Sequence, residues 1–313
     1  MRVVVLDDYQ RCAHEFADWA GLGADVEFVD RHLAGPDLVD KLDGAEVVVA
    51  MRERTTFDSE LLDRLGDLRL LVTTGMANAS IDVAAASERG VTVCGTRSLP
   101  SPAAEMTWAL LLALVRNVPR EDVSIRAGGW QSTIGSDLAG RTLGLIGLGR
   151  LGTRVARVGL AFDMDVIAWS QNLDPEHARA HGVEATTKND LLERSDVVSL
   201  HLRLSDRSRG VIGESDLRRM KPTAFLVNTA RGPLVDEAAL LTALDEGRIA
   251  GAGLDVFDEE PLPADHRLRS SPRTVLAPHL GYVTRGAYDV FYGEAVEDIH
   301  AWRDGAPIRV LDA

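Results

Sequence analysis

Two series of short, β-branched apolar runs, separated by helix-like stretches, constrain the fold of this chain more than any other feature. The first series is Val3–Leu6, Val26–Val29, Val47–Ala50, Leu70–Val72 and Val91–Val93. The second is Leu143–Ile146, Val166–Trp169, Val197–Leu200, Ala224–Val227, Gly251–Leu254 and Thr274–Leu276. Runs this short, without polar alternation, suit parallel strands covered by helices on both faces. Two series predict two α/β units, and 313 residues are too many for one ordinary α/β core.

The boundary is expected near Ser98-Leu99-Pro100-Ser101-Pro102, where prolines and serines punctuate and a helix can begin. Ala103–Val115 is apolar nearly all round and should be buried between layers. A second helical pattern covers Arg285–Arg303. Beyond it, Gly305-Ala306-Pro307-Ile308-Arg309-Val310 is expected to return to the first unit. The expected organisation is therefore residues 1–98 with 286–313 as one discontinuous unit, and 99–285 as the other.

The formal charge of −14 argues against a nucleic-acid backbone as partner. The longest apolar stretch, Trp108–Val115, is far too short to span a bilayer, so no membrane association is expected. The N-terminus reads as a buried strand ending in Asp7-Asp8 rather than a signal peptide, which points to the cytoplasm. Cys12 and Cys94 show no metal or redox spacing and read as two reduced thiols. No cluster of His, Cys, Asp or Glu has metal-ligand spacing.

Gly147-Leu148-Gly149-Arg150-Leu151-Gly152 lies between the strand Leu143–Ile146 and the expected helix Thr153–Leu160. Strand, glycine turn and helix in that order form the context of a dinucleotide fingerprint. One glycine permits the turn, another the approach of a pyrophosphate, and the third close packing of helix on strand. Tight packing alone, a methyltransferase or a sugar-nucleotide enzyme can also use such a turn. An NAD-preferring site carries an acid at the end of the next strand. Here Val166–Trp169 is followed by Ser170-Gln171-Asn172. Ser170 would not repel a 2′-phosphate, so NADP is expected to be accepted, although no arginine adjoins it.

Further along come Asn228-Thr229-Ala230-Arg231-Gly232, then Gly253-Leu254-Asp255-Val256-Phe257 running to Glu260-Pro261, then Ala277-Pro278-His279-Leu280-Gly281. With the glycine turn, Thr74-Gly75-Met76-Ala77-Asn78 and the stretch from Ala104-Glu105 to Gly129-Trp130, these motifs fall in a fixed order. In that order the chain resembles the D-isomer-specific 2-hydroxyacid dehydrogenase family over most of its length. The resemblance implies two Rossmann-like, doubly wound parallel-sheet domains with a cleft between them, hinges near residues 99 and 285, and a homodimer through the cofactor domains. It also implies NAD or NADP as cofactor and a small 2-keto or 2-hydroxy acid as substrate.

Chemistry gives separate reasons for the catalytic set. Reduction of a 2-keto acid needs hydride at the carbonyl carbon and a proton at its oxygen. His279 suits the proton donor, and Glu260 would fix its tautomer and favour imidazolium. Arg231 would grip the carboxylate with its fork geometry. The resemblance further implies cofactor contacts from Gly147, Gly149, Arg150, Leu151, Gly152, Ser170, Thr107, Thr229, Ala230, Arg231, Asp255, His279 and Gly281. It implies substrate contacts from Arg52, the backbone of Gly75 and Met76, Arg231 and His279. His201 reads as structural, and Arg203 either faces solvent or supplies a 2′-phosphate cation. Met51, Arg52, Met76 and Tyr282 would shape the substrate pocket. Formate dehydrogenases of the family fit less well, because they carry glutamine where Glu260 stands. The alternative function is an NAD(H)-sensing binding protein of the corepressor type. A different nucleotide enzyme would leave Arg231, Glu260 and His279 unexplained.

Overall fold

The computed structural model describes residues 1–312, which form two compact units: Met1–Leu99 with Thr284 onward, and Pro100–Val283. The expected limits after residues 98 and 285 differ slightly from these.

The first unit opens with β1 (Arg2–Val5) and β2 (Asp25–Phe28), followed by α1 (Gly35–Leu42), β3 (Val47–Ala50), α2 (Ser59–Arg64), β4 (Leu70–Thr73), α3 (Val83–Glu88) and β5 (Thr92–Gly95). Its sheet is parallel, with strand order β2-β1-β3-β4-β5. All residues of β3 and β4 are buried, which is why these strands read as uninterrupted apolar runs.

The second unit begins with α4 (Ser101–Val115), α5 (Val118–Arg126), β6 (Thr142–Ile146), α6 (Gly152–Ala161) and β7 (Asp165–Trp169). Then come α7 (Pro175–Ala180), β8 (Glu184–Ala185), α8 (Lys188–Arg194), β9 (Val197–Leu200), α9 (Glu214–Leu217), β10 (Phe225–Asn228), α10 (Glu237–Asp245), β11 (Gly251–Leu254) and β12 (Thr274–Leu276). The seven-stranded sheet is parallel, in the order β12-β11-β10-β9-β6-β7-β8. One apolar core joins it to α8, α9 and α10; the other joins it to α4, α6 and α7. β8 was not expected from the sequence, since two residues at a sheet edge leave no apolar run. α4 is also less enclosed than expected: Glu105 and Ala109, one turn apart, are exposed.

The chain then re-enters the first unit as α11 (Arg285–Arg303). Tyr288 and Tyr292 on this helix pack edge-on against Phe16 and Trp19, with ring centroids 5.5 and 6.1 Å apart. The tail meets β5, where Gly95 N–H donates to the Arg309 carbonyl and Val310 bridges antiparallel to Cys94. Arg309 pairs with the buried Asp298 at 2.9 Å. Cys12 and Cys94 are both free thiols. Among the described residues no helix is long and apolar enough to cross a membrane.

Candidate active site

The glycine turn follows β6. Gly147 has φ +103°, and a side chain there would meet the His201 carbonyl at 2.8 Å. Its N–H donates to Trp169 O, tying the turn to β7. A Cβ on Gly152 would overlap the Gly147 carbonyl, so this glycine lets α6 start directly against the turn. Gly149 differs. It is exposed, its φ is not positive, and no protein atom lies within 4 Å of where its Cβ would stand. The protein's own packing gives no reason for glycine at 149; the room it leaves suits the approach of a pyrophosphate. The α6 N-terminus carries no side-chain cap, so its first backbone N–H groups suit the same anion. These residues fit a dinucleotide. Gly149→Ala is accordingly expected to leave the melting temperature within about 1 °C of wild type, because surface changes away from contacts cost little. It is expected to weaken NAD(P)H binding by about tenfold or more. Calorimetric titration of the variant checks this; unchanged affinity would contradict it.

Arg231 is half-buried and sits just after β10 in extended backbone, ahead of the turn at Gly232–Leu234. Asn228 builds the corner: its side-chain amide donates to Arg231 O at 2.9 Å and its Oδ1 accepts from Ala230 N at 3.0 Å. This use of a short amide side chain to close a turn holds the arginine's backbone in place. The sequence carries one signal of this role, an asparagine three residues before Arg231. A Cβ on Gly232 would overlap the Phe257 backbone, which brings the Arg231 turn against the strand-end segment that carries Asp255 and leads to Glu260. Thr229, beside the arginine, shares a hydrogen bond of 2.7 Å with Thr107 on α4.

His279 Nδ1 and Glu260 Oε2 stand 2.6 Å apart, a charge-assisted hydrogen bond. The other Glu260 oxygen accepts from Phe257 N at 3.0 Å, so the carboxylate is held from two sides. His279 itself has φ +54°, a left-handed conformation uncommon for a residue with a Cβ, and local strain of this kind clusters at functional sites. The Tyr282 ring lies edge-on to the imidazole at 5.3 Å between centroids. Asp255, wholly buried, accepts from Leu280 N and Gly281 N, both at 2.7 Å. Burial pushes its pKa up to about 6, opposed by those two N–H groups and by His279. The segment directly after His279 is thus clamped by a carboxylate 25 residues away in sequence, a bond that spacing does not reveal.

Ser170 is half-buried at the end of β7. The cation on the adjoining Trp169 ring is Lys188, 5.9 Å from its centroid and paired with Asp216. Arg150 and Arg203 are exposed and Leu151 is half-buried. His201 hydrogen-bonds Ser199 Oγ at 2.9 Å; desolvation pushes its pKa down to about 4, leaving it neutral.

In the first unit, Arg52 has φ +52° and donates from Nη1 to Thr74 O at 2.7 Å. Its guanidinium lies where a Cβ of Gly75 would be, and Gly75 has φ +107°, so the position requires glycine. Gly75 N–H, part of the backbone expected to hold a substrate carboxylate, donates to Thr96 Oγ1 at 3.0 Å. Met76 is exposed.

Residues 108–281 match the model of the D-isomer specific 2-hydroxyacid dehydrogenase NAD-binding domain, more than half of the chain. The chain belongs to the D-isomer specific 2-hydroxyacid dehydrogenase family. It is an NAD(P)-dependent oxidoreductase of that family. A glyoxylate reductase of Aeropyrum pernix is 39% identical over 293 residues, covering 90% of this dehydrogenase and 87% of the relative. A D-3-phosphoglycerate dehydrogenase of Bacillus subtilis is 32% identical over 90% of this chain, which spans only 54% of that longer protein. The crystal structure of a phosphoglycerate oxidoreductase from Vibrio cholerae superposes with a TM-score of 0.93 at 35% identity, covering 98% of this dehydrogenase and all of that chain.

Proposed function

We propose that this dehydrogenase reduces a small 2-keto acid to the 2-hydroxy acid, with His279 as proton donor, Glu260 as its orienting partner and Arg231 as the carboxylate ligand. The observation that carries this reading is the 2.6 Å contact between His279 Nδ1 and Glu260. It commits Nδ1 to the carboxylate and leaves Nε2 to carry the proton that the substrate receives. A nicotinamide cofactor held at this site would supply the hydride for the carbonyl carbon. Arg231 neutralises the substrate carboxylate and draws electron density toward the keto oxygen. His279 passes the Nε2 proton to that oxygen as the carbon–oxygen π bond becomes an alkoxide. The imidazole left neutral then takes a proton from water. In the reverse direction the same group removes the hydroxyl proton.

The proposed cofactor contacts are Gly147, Gly149, Arg150, Leu151 and Gly152 for the pyrophosphate, Ser170 for the adenosine ribose, and Thr107, Thr229, Ala230, Asp255 and Gly281 toward the nicotinamide side. Within the first unit, Arg52 and the backbone of Gly75 and Met76 are the proposed substrate-facing groups. Because no acid ends β7, both NADH and NADPH are proposed to serve.

The oligomer is proposed to be a homodimer of the second unit. Val123, Trp130 and Ile134 are 69%, 73% and 96% exposed on α5 and the segment after it. Exposed apolar side chains grouped in this way mark association surfaces. Sedimentation velocity at micromolar concentration reads the state directly, and a monomer would contradict it.

The function is tested by following NADH and NADPH oxidation with glyoxylate, hydroxypyruvate, pyruvate, phenylpyruvate and 3-phosphohydroxypyruvate. Turnover of at least one acid with either cofactor is expected. Tight NADH binding without turnover of any acid would contradict the reading and favour a sensor. A many-fold preference for NADH would contradict the assignment of Ser170.

A further inference from the structure

A cavity of about 280 Å³ lies wholly within the first unit. β1 has β2 on one side and β3 on the other, so the strand order reverses there. Open α/β sheets present ligand crevices at the carboxyl ends of their strands beside such a reversal. The cavity walls come from residues 32–35 with the start of α1, and from residues 54–56 with α2, the segments that leave β2 and β3 at those ends.

One part of the lining is apolar. Leu33 and Leu38 are buried, and Val39 and Leu61 are half-buried. The rest is polar and carries three basic side chains: His32, Arg64 and Arg54, whose guanidinium lies over the Tyr9 ring 5.0 Å from its centroid. α1, which starts at the wall, has no side-chain cap; Pro36 removes one of its first-turn N–H groups, and Asp37 stands in the same turn. Of the two acids in the lining, Asp58 spends one oxygen on Leu61 N–H as the cap of α2, and Glu60 is exposed.

Behind this wall stands Asp7, only 3% exposed. Its Oδ2 accepts from Thr55 Oγ1 at 3.2 Å. Its Oδ1 has no hydrogen-bond partner, nor has His32 Nδ1, which stands 3.6 Å away. Native interiors seldom leave buried polar atoms unpaired without a reason. His32 thus stands between the Asp7 carboxylate and the cavity.

We propose that this cavity is a second small-molecule site that takes a small carboxylate with an apolar body. The carboxylate meets His32, Arg54, Arg64 and the start of α1, while the body packs on Leu33, Leu38 and Leu61. None of these residues belongs to the catalytic set or to the proposed cofactor contacts.

The test is calorimetric titration of Arg231→Ala protein, in which the proposed catalytic carboxylate ligand is removed, with isovalerate, benzoate and phenylacetate. Because it does not read turnover, its outcome is separate from that of the proposed reaction. One probe is expected to bind once per chain. Leu61→Trp, which fills the cavity, and Arg64→Glu, which reverses a charge at its mouth, are each expected to weaken that binding by about tenfold or more. NADH affinity should be unchanged in both. Should Leu61→Trp fail to fold, the exposed Arg64→Glu decides alone. Absence of binding by all three probes, or equal binding by the Arg64→Glu protein, would overturn the proposal.

Discussion

Replacing His279 with alanine is expected to lower kcat for 2-keto acid reduction by about 100- to 10,000-fold, the usual contribution of a positioned general acid. NADH affinity should stay within about threefold of wild type, well under the 1.4 kcal/mol that a tenfold change represents. The split follows from the geometry. The imidazole is fixed through Nδ1 by Glu260, and Glu260 is fixed in turn by Phe257 N–H. The clamp on Leu280 and Gly281 comes from Asp255 and bonds backbone N–H groups, which alanine at 279 retains. Steady-state kinetics with NADH held saturating, together with fluorescence titration of NADH, separates the two quantities. A variant that keeps wild-type kcat would remove His279 from the chemistry, and one that loses NADH binding would assign it a structural role instead.

Arg231→Ala is expected to reduce kcat/KM for the same acid by roughly 30- to several thousand-fold. Removing one partner of a buried, hydrogen-bonded charge pair costs about 2–5 kcal/mol, and each 1.4 kcal/mol is a factor of ten. The loss should appear in KM as well as kcat, because the substrate's carboxylate is held in the ground state and its carbonyl is polarised in the transition state. Arg231→Lys should recover little of it, since an ammonium on a flexible stem lacks the planar fork. The Asn228 side chain holds the Arg231 backbone, and the guanidinium adds one hydrogen bond to the Ala230 carbonyl. The corner therefore survives both substitutions, and the melting temperature should change little. Full activity in the lysine variant would show that charge alone is needed, contradicting the bidentate role.

The sheets were legible because parallel strands buried on both faces leave apolar runs in the sequence, as in Val47–Ala50 and Leu70–Thr73, where every residue is buried. β8 was not, because two residues at a sheet edge carry no such run. The apolar run of α4 carries its largely buried character, whereas periodicity does not encode its exposed edge at Glu105 and Ala109. In the site, motif order brought out Glu260 and His279, and the structure places them in contact. The support behind them was hidden: Asp255 reaches Leu280 and Gly281 across a sequence separation of 25 and 26, and Thr107 meets Thr229 across 122. Gly75 shows the limit from the other side. Its glycine was legible, but its N–H belongs to Thr96, a partner that only tertiary structure supplies. Gly149 is the converse case, where the absence of any neighbour within 4 Å gives a glycine its meaning.

Hydride transfer to a 2-keto acid, with protonation from His279, is tested most directly by the product. The protein would be mixed with NADH deuterated at both C4 positions and, glyoxylate aside because its product is achiral, with the acid that turns over fastest, and the product examined by chiral chromatography and mass spectrometry. The predicted result is a single enantiomer, the D-2-hydroxy acid, carrying the deuterium on C2, formed by wild type and abolished in step by His279→Ala and Arg231→Ala. An L-product, a racemate, or a product without the label at C2 would contradict it.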